Sequence, residues 1–281
     1  MCFFMKINYL FIEIYFYIIF NMKYFGSDIG CKNLAYCVFN YNENTHKINI
    51  EQWDLIDLRN NKCDRLKKGG NKCNNTASYY YYDDNNNKHL TCKTHKNSKC
   101  KKIKNEDNDN LDIYAKNLKL YFDNNNILDC DKYGIENQPS MKNPKMKSIQ
   151  MLLFSYISFF KVKNCFIDLI HPKMKTSIIG KEADKIIKSN KNKNESKQYL
   201  TTKHLGIICT QYILEHEVDN YNDWINSFKD KKKQDDLCDA FLHAYYLLNG
   251  ANSKVNDENF INYIHNEINK MDNNIKKPKL N

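Results

Sequence analysis

Arginine is nearly missing from this sequence: of its 43 basic residues, only Arg59 and Arg65 are not lysine. The same bias fills the chain with Asn, Ile and Tyr, as an AT-rich genome does, so the number of lysines alone signals no function. Also lacking is an uninterrupted apolar run of membrane-spanning length. The opening stretch MCFFMKINYLFIEIYFYIIF is broken by Lys6, Asn8 and Glu13, and no small-residue cleavage site follows it. Residues 1–21 are therefore read as an N-terminal extension or misassigned start, ahead of a membrane anchor or a signal peptide. Met22 then opens the first strand of a soluble fold. Association with a membrane and secretion are not expected. No internal repeat is found, which removes solenoid architectures.

What is present points to a globular domain with polar inserts. A chain of 281 residues that is 42% hydrophobic can bury one large core or two small ones. Its formal charge of +10 attracts polyanions, of which nucleic acid is the commonest. Eleven cysteines could suggest disulfides, but Cys31, Cys37, Cys165, Cys209 and Cys238 are scattered through apolar runs. That distribution fits reduced thiols in a cytosolic compartment, with one polar cluster left over as a possible metal site.

Periodicity orders the chain. KYFGSDIG, LAYCVFN and KINIEQWDLIDL read as a three-stranded meander. Residues 60–108 show neither helical nor strand repeat and read as a Cys-rich insertion. Helical spacing resumes over NLDIYAKNLKLYF, where Leu111, Tyr114, Ala115, Leu118 and Phe122 share a face. CDKYGIEN is a fourth strand ending at Glu136, and Pro144 starts a helix. CFIDLI is a fifth strand, apolar enough to be buried on both faces. Residues 181–197 are charged and read as a mobile loop or frayed helix. Two more helices cover KQYLTTKHLGIICTQYILEH and KQDDLCDAFLHAYYLL, and the tail, residues 251–281, reads as disordered. The main domain spans 22–250. Strands alternating with helices after a leading meander predict an α/β fold, a mixed five-stranded sheet flanked by helices.

Four acids stand at suggestive points of this order. Asp28 lies late in the first strand and Glu136 at the end of the fourth, while Asp236 and Asp239, three apart, project from one side of the last helix. Carboxylate oxygens suit Mg²⁺, and two such ions can clamp the attacking and leaving oxygens of a phosphodiester. Each acid alone is explained as well by turn capping, helix-dipole pairing or solvation. Only their strand order makes them a set.

SDIGCKNLAYCVF, YGIENQP and KKQDDLCDAFLHAYYLL, in that order, resemble the three acidic motifs of RuvC-type Holliday junction resolvases, in the form found in poxviruses and other large cytoplasmic DNA viruses. The resemblance covers residues 23 to about 250 apart from the insertion. It implies an RNase H-like fold in which the first and fourth strands lie side by side, so that Glu136 faces Asp28. It implies Asp28, Glu136, Asp236 and Asp239 as ligands of two Mg²⁺ ions per site, with Mn²⁺ as an alternative, and Asp235 as a rival if the register shifts. HPKMKT resembles the place where these enzymes carry a functional lysine. Lys175 fits that spacing best and Lys173 second. The implied activity is endonucleolytic: symmetric paired nicks in four-way junctions and other branched DNA by a homodimer, in the cytoplasm, with no small-molecule substrate. Rival readings are a transposon-associated RNase H-like nuclease and a non-catalytic, zinc-stabilised DNA-binding protein.

The insertion carries its own pattern. Cys63, Cys73, Cys92 and His95, the last two as C-x-x-H, are a donor set suited to a structural tetrahedral Zn²⁺. The spacing from Cys63 to Cys73 exceeds that of the usual knuckle, and His89 or Cys100 remains open as a substitute ligand. A disordered Asn-rich loop with incidental thiols is the plainer alternative.

Overall fold

The computed structural model describes residues 21–59, 62–73, 75, 77–103, 111–141, 143–189, 195–230, 233–251, 253–254 and 257–276. The expected extension 1–21 lies outside them except for Asn21. Tertiary contacts divide the chain into two units, residues up to Ile56 with those from Asn125 onward, and Asp57–Asn124.

In the larger unit, runs of β-branched and aromatic residues form β1 (Asn21–Asp28), β2 (Leu34–Asn42) and β3 (Lys47–Ile56), joined by short connections into an antiparallel meander. β7 (Lys132–Glu136) lies parallel to β1 on its other side, with Gly26 beside Gly134 and Ser27 beside Ile135. β8 (Phe166–Ile170) lies parallel to β7, with Glu136 beside Ile170. The sheet order is β3-β2-β1-β7-β8, so the first and fourth strands of this mixed five-stranded sheet are neighbours. Parallel neighbours need a crossover. The one from β7 to β8 runs through α2 (Pro144–Phe160), started by proline and capped by Asn143, whose side chain accepts from the Met146 amide at 3.3 Å.

One expectation fails at the sheet edge. β8 is outermost and pairs with β7 alone, leaving Phe166 57% exposed. A continuously apolar run of five residues does not reveal whether a strand is central or at an edge.

The helix over Gln234–Asn249, α7, lies against the sheet. Leu237, Cys238, Ala240, Phe241, Leu242, Ala244 and Tyr245 are buried nearly all round it, because α5 (Glu195–Glu217) covers its other side. Two glycines permit the close approach. A Cβ at Gly26 would strike the Ala240 carbonyl oxygen and the Ala244 amide, and one at Gly134 would meet the side chains of Ile170 and Leu247. These glycines are register neighbours, so α7 crosses the sheet where β1 and β7 present bare backbone. Trp53 donates its indole N–H to the Leu237 carbonyl at 2.9 Å and stacks on Phe228 of α6 (Tyr221–Asp230) at 5.1 Å between ring centroids. α7 ends at Gly250, whose φ of 73° suits only glycine well.

Other sequence expectations also shift. Residues 181–189 form α4 (Lys181–Ser189), and residues 190–194 lie outside the described set. The tail holds α8 (Glu258–Lys276), anchored on α5 by fully buried Phe260 and Ile264. Each such side chain contributes about 1.5–3 kcal/mol on burial, and partly buried Ile261, Tyr263 and Ile268 pack beside them.

The smaller unit contains a three-stranded antiparallel sheet, order β5-β4-β6, built from β4 (Tyr79–Tyr82), β5 (Lys88–Thr91) and β6 (Lys101–Lys102). It also contains α1 (Leu111–Asp123), in which Tyr114, Leu118 and Phe122 are buried while Leu111 is exposed.

Candidate active site

Strand topology brings the first two acids together. Asp28 is the last residue of β1 and Glu136 the last of β7, and because these strands are parallel neighbours both side chains leave the sheet at the same end. Their carboxyl groups are hydrogen-bonded to each other. The Ile29 amide also donates to Glu136 Oε2, at 3.2 Å, and the Gln138 amide group donates to the same oxygen. Glu136 is therefore held from three directions with 8% of its surface exposed.

The glycine-mediated seat of α7 delivers the other two. Asp236 and Asp239 occupy its first turns, above the ends of β1 and β7. One turn after Asp239, His243 is fully buried and donates Nδ1–H to the Ser27 carbonyl at 2.9 Å, tying α7 to β1 beside Asp28. Burial pushes this imidazole down to about 4, against the pull of Glu136, so it stays neutral.

Asp28, Glu136, Asp236 and Asp239 line one cavity of about 280 Å³ together with Gln138, Lys175 and Lys203. Lys175 lies on α3 (Met174–Ser177), just after β8, and its ammonium donates to Asp239. Lys173, the other lysine considered, is exposed and does not line the cavity. The adjacent aspartates also differ in their surroundings. Asp235 is ion-paired to Lys203, whereas Asp236 faces the cavity and accepts from Asn33 Nδ2 at 3.3 Å. Lys203, from α5, is a second cation at the cavity that sequence reasoning missed. One lysine on a long helix of a lysine-rich chain carries no signal until α5 is packed.

The electrostatics are those of crowded like charges. Burial, then the Glu136 carboxylate, holds Asp28 well above the usual range. Burial, the largest influence, opposes ionisation of Glu136 too, but Asp28, His243, the Ile29 amide and Lys175 together keep that group low. The two carboxyl groups therefore ionise unequally, Asp28 holding its proton more tightly than Glu136. Burial also raises Asp239, against the opposing Lys175, and burial with Asp235 raises Asp236. Burial, the largest influence, disfavours the Lys175 ammonium, but Asp239 with Asp28 and Glu136 more than compensates and its value rises.

In the smaller unit, Cys63, Cys73, Cys92 and His95 offer ligand atoms that all lie within 4.8 Å of one another. His95 Nδ1 is 3.4 Å from Cys63 Sγ and 3.5 Å from Cys92 Sγ, and Cys73 Sγ is 3.9 Å from Cys92 Sγ. The two substitute ligands lie elsewhere. His89 pairs with Asp83 at 3.1 Å and stacks on Tyr81, and Cys100 is bonded within its own turn to Asn97.

No protein-family model matches the chain. An uncharacterized protein of Acanthamoeba polyphaga mimivirus is 38% identical over 141 residues, which is 48% of this chain and 32% of that protein. The chain thus matches about a third of that relative's length. Two crystal structures of the fowlpox virus Holliday junction resolvase, one in complex with its substrate Holliday junction DNA, align with TM-scores of 0.41 and 0.42 at 16% identity. Each alignment covers 81% of this chain and 97% of the resolvase chain. Among the described residues, no helix is long and apolar enough to cross a membrane.

Proposed function

We propose that this chain is a divalent-cation-dependent endonuclease that resolves four-way DNA junctions by paired symmetric nicks, working as a homodimer. The observation that carries the reading is the convergence of Asp28, Glu136, Asp236 and Asp239 from two strand ends and one helix on a single cavity beside Lys175. The motif resemblance supports the same reading.

The donor set suits the cation. All four side chains offer hard oxygen, and the crowding that raises Asp28 beside Glu136 is strain that a dication would relieve. Asp28, Glu136, Asp236 and Asp239 would hold two Mg²⁺, or Mn²⁺ in their place. When bound, the ions would supply an activated water and stabilise charge on the scissile phosphate and the leaving 3′ oxygen. The remaining work falls to the chain. Loading would displace the proton that Asp28 holds beside Glu136. Gln138 and the Ile29 amide keep Glu136 aimed, His243 holds α7 at its height above β1, and Lys175 offers positive charge beside Asp239 for the phosphate. Lysines elsewhere grip the backbone in a salt-dependent way.

Symmetric resolution needs two sites related by a twofold axis. Exposed Phe159, Phe160, Val162 and Phe166, clustered where α2 gives way to β8, supply apolar area for self-association. A cytoplasmic setting suits the buried free thiols Cys37, Cys209 and Cys238 in the core.

The test is incubation of the purified chain with labelled four-way junction and linear duplex, with and without Mg²⁺. Paired nicks confined to the junction and requiring the cation support the reading. Cutting of RNA–DNA hybrids or guided duplexes instead would favour the transposon-associated type. Junction binding without cutting under any divalent cation would leave a DNA-binding protein.

A further inference from the structure

In the smaller unit, the loop ending at Cys63 hydrogen-bonds through its amide to Asn75, and the Cys73 amide donates to Arg65, so the segments around Cys63 and Cys73 are folded against each other. The Cys92–His95 turn is closed by the His95 amide donating to the Cys92 carbonyl at 3.1 Å. Three chain segments thus present four soft or borderline donor atoms to one point. Zn–S bonds of about 2.3 Å and a Zn–N bond of about 2.0–2.1 Å at tetrahedral angles require S···S edges of about 3.8 Å and S···N edges of about 3.5 Å. Three of the six edges, 3.9 Å for Cys73–Cys92 and 3.4 and 3.5 Å for His95 with Cys63 and Cys92, match that tetrahedron, and all four donor atoms lie within 4.8 Å of one another. A disulfide would need sulfurs about 2.05 Å apart.

Burial adds a second argument. Cys63, Cys73 and Cys92 are each less than 5% exposed, and they form a buried cluster of their own. Thiols tucked into the middle of a Lys- and Asn-rich segment, with no aliphatic side chains in their cluster, would hold it together weakly by packing alone.

We propose that Cys63, Cys73, Cys92 and His95 bind one zinc ion in a closed structural site that takes the place of an apolar core for the Cys63–His95 segment. Three thiolates and the Nδ1 of His95 fill all four positions, leaving none for substrate. Cys100 and His89 take no part. The proposal is independent of the nuclease reading, since it concerns other residues and is read without DNA.

The test uses the full chain, expressed in zinc-supplemented medium and purified without chelator, with metal measured by elemental analysis. One zinc per chain is expected. After exchange with Co²⁺, thiolate-to-metal charge transfer and the intense visible bands of a tetrahedral site should appear. Cys73→Ser and Cys92→Ser should lose the zinc, while Cys100→Ser and His89→Ala retain it in full. Chelation of the wild type should make residues 63–95 the first site of proteolysis. Because the wild-type stoichiometry and the cobalt spectrum need no variant to fold, a zinc-free chain, an octahedral cobalt spectrum or a Cys73–Cys92 disulfide would overturn the proposal. So would equal loss of metal in Cys100→Ser and Cys73→Ser.

Discussion

Asp28, Glu136, Asp236 and Asp239 stand on strands and a helix that a large apolar core already holds, whereas Cys63, Cys73 and Cys92 are themselves the buried cluster of their segment. In the first region the fold comes before the ligands. Trp53, Phe241, Phe39 and Ile213 pack regardless of what the acids do, and the rigid frame can force like charges into contact. In the second, on the zinc proposal, the ligands come before the fold. The comparison teaches that a gathering of metal-type side chains has opposite meanings according to what else is buried around it. Where a large apolar core holds the frame, crowded charge is strain available for chemistry. In the Cys63–His95 segment, where the thiols form the buried cluster, the zinc proposal makes the donors the means of folding.

The largest expected effect breaks the first region without touching the frame. Glu136→Gln keeps the shape and the bond from Ile29 but removes a charge, so cleavage of a four-way junction should fall by roughly 10³-fold or more, as the removal of groups that act as a unit does. Binding of the junction should change by less than about twofold, because phosphate contacts elsewhere carry the affinity. Equal cutting by Glu136→Gln would remove the acids from the chemistry altogether. The corresponding step in the second region should show the reverse pattern: zinc loss unfolds the segment while the melting of the larger unit stays in place.

A smaller loss is expected at the cation. Lys175→Ala should lower the rate by about 10²-fold, the scale of one charge stabiliser in a closed site, and Lys173→Ala, on the exposed side of the same turn, should change it little. Comparable effects of the two would mean that Asp239, not the phosphate, is what Lys175 serves.

Charge strain in the first region also has a sign in stability. Asp28 has its value raised in the folded protein, so its favourable contribution is whole below the ordinary carboxylate range near 3.8 and is lost as pH rises through the folded value. In Mg²⁺-free buffer without chelator, so that zinc stays, the wild type should therefore lose melting temperature relative to Asp28→Asn as pH rises through that window. Asp28→Asn should end more stable by roughly 2–4 °C, the shift that about 1 kcal/mol gives in a chain of this size. An aspartate whose removal destabilises at neutral pH would be a structural cap.

Much of the first region could be read in one dimension. Strand order and helix spacing put Asp28 and Glu136 at strand ends and Asp236 with Asp239 on one helix side, since both patterns are local. The partners that set neighbours apart were not legible. Asp235 is met by Lys203 of α5, 32 residues away in sequence, and Asp236 by Asn33, while Lys175 within the four-residue α3 reaches Asp239 and Lys173 just before it does not line the cavity. Nor does a sequence reveal that Gly26 and Gly134 are register neighbours under α7. In the second region the periodicity was unreadable for a different reason: strands of four, four and two residues are too short to show a repeat. The tail misled because the apolar residues of α8, Phe260, Ile261, Tyr263, Ile264 and Ile268, are interleaved with Asn, Glu and His, so that the stripe resembles chance.

The smallest expected effect sharpens the second region. Side chains directly opposite in an antiparallel pair share a face, so Lys101, paired with Tyr80, stands on the side that also carries Tyr82 and Lys88. Lys88 sits 4.7 Å over the Tyr80 ring and Tyr82 is 51% exposed, an aromatic and cationic surface of the kind that meets bases and phosphates together. If this face touches DNA, Lys101→Ala removes about one phosphate contact. The slope of log affinity against log salt should then fall by about 0.9, and junction affinity at 0.1 M salt by up to about eightfold. Lys102, paired with Tyr79, points to the opposite face and should matter less. Since the exposed β6 lysines play no part in the zinc tetrahedron, metal content should stay at one per chain in both variants. Unchanged salt dependence with intact zinc would mean that the second region is ordered for some purpose other than gripping nucleic acid through this face.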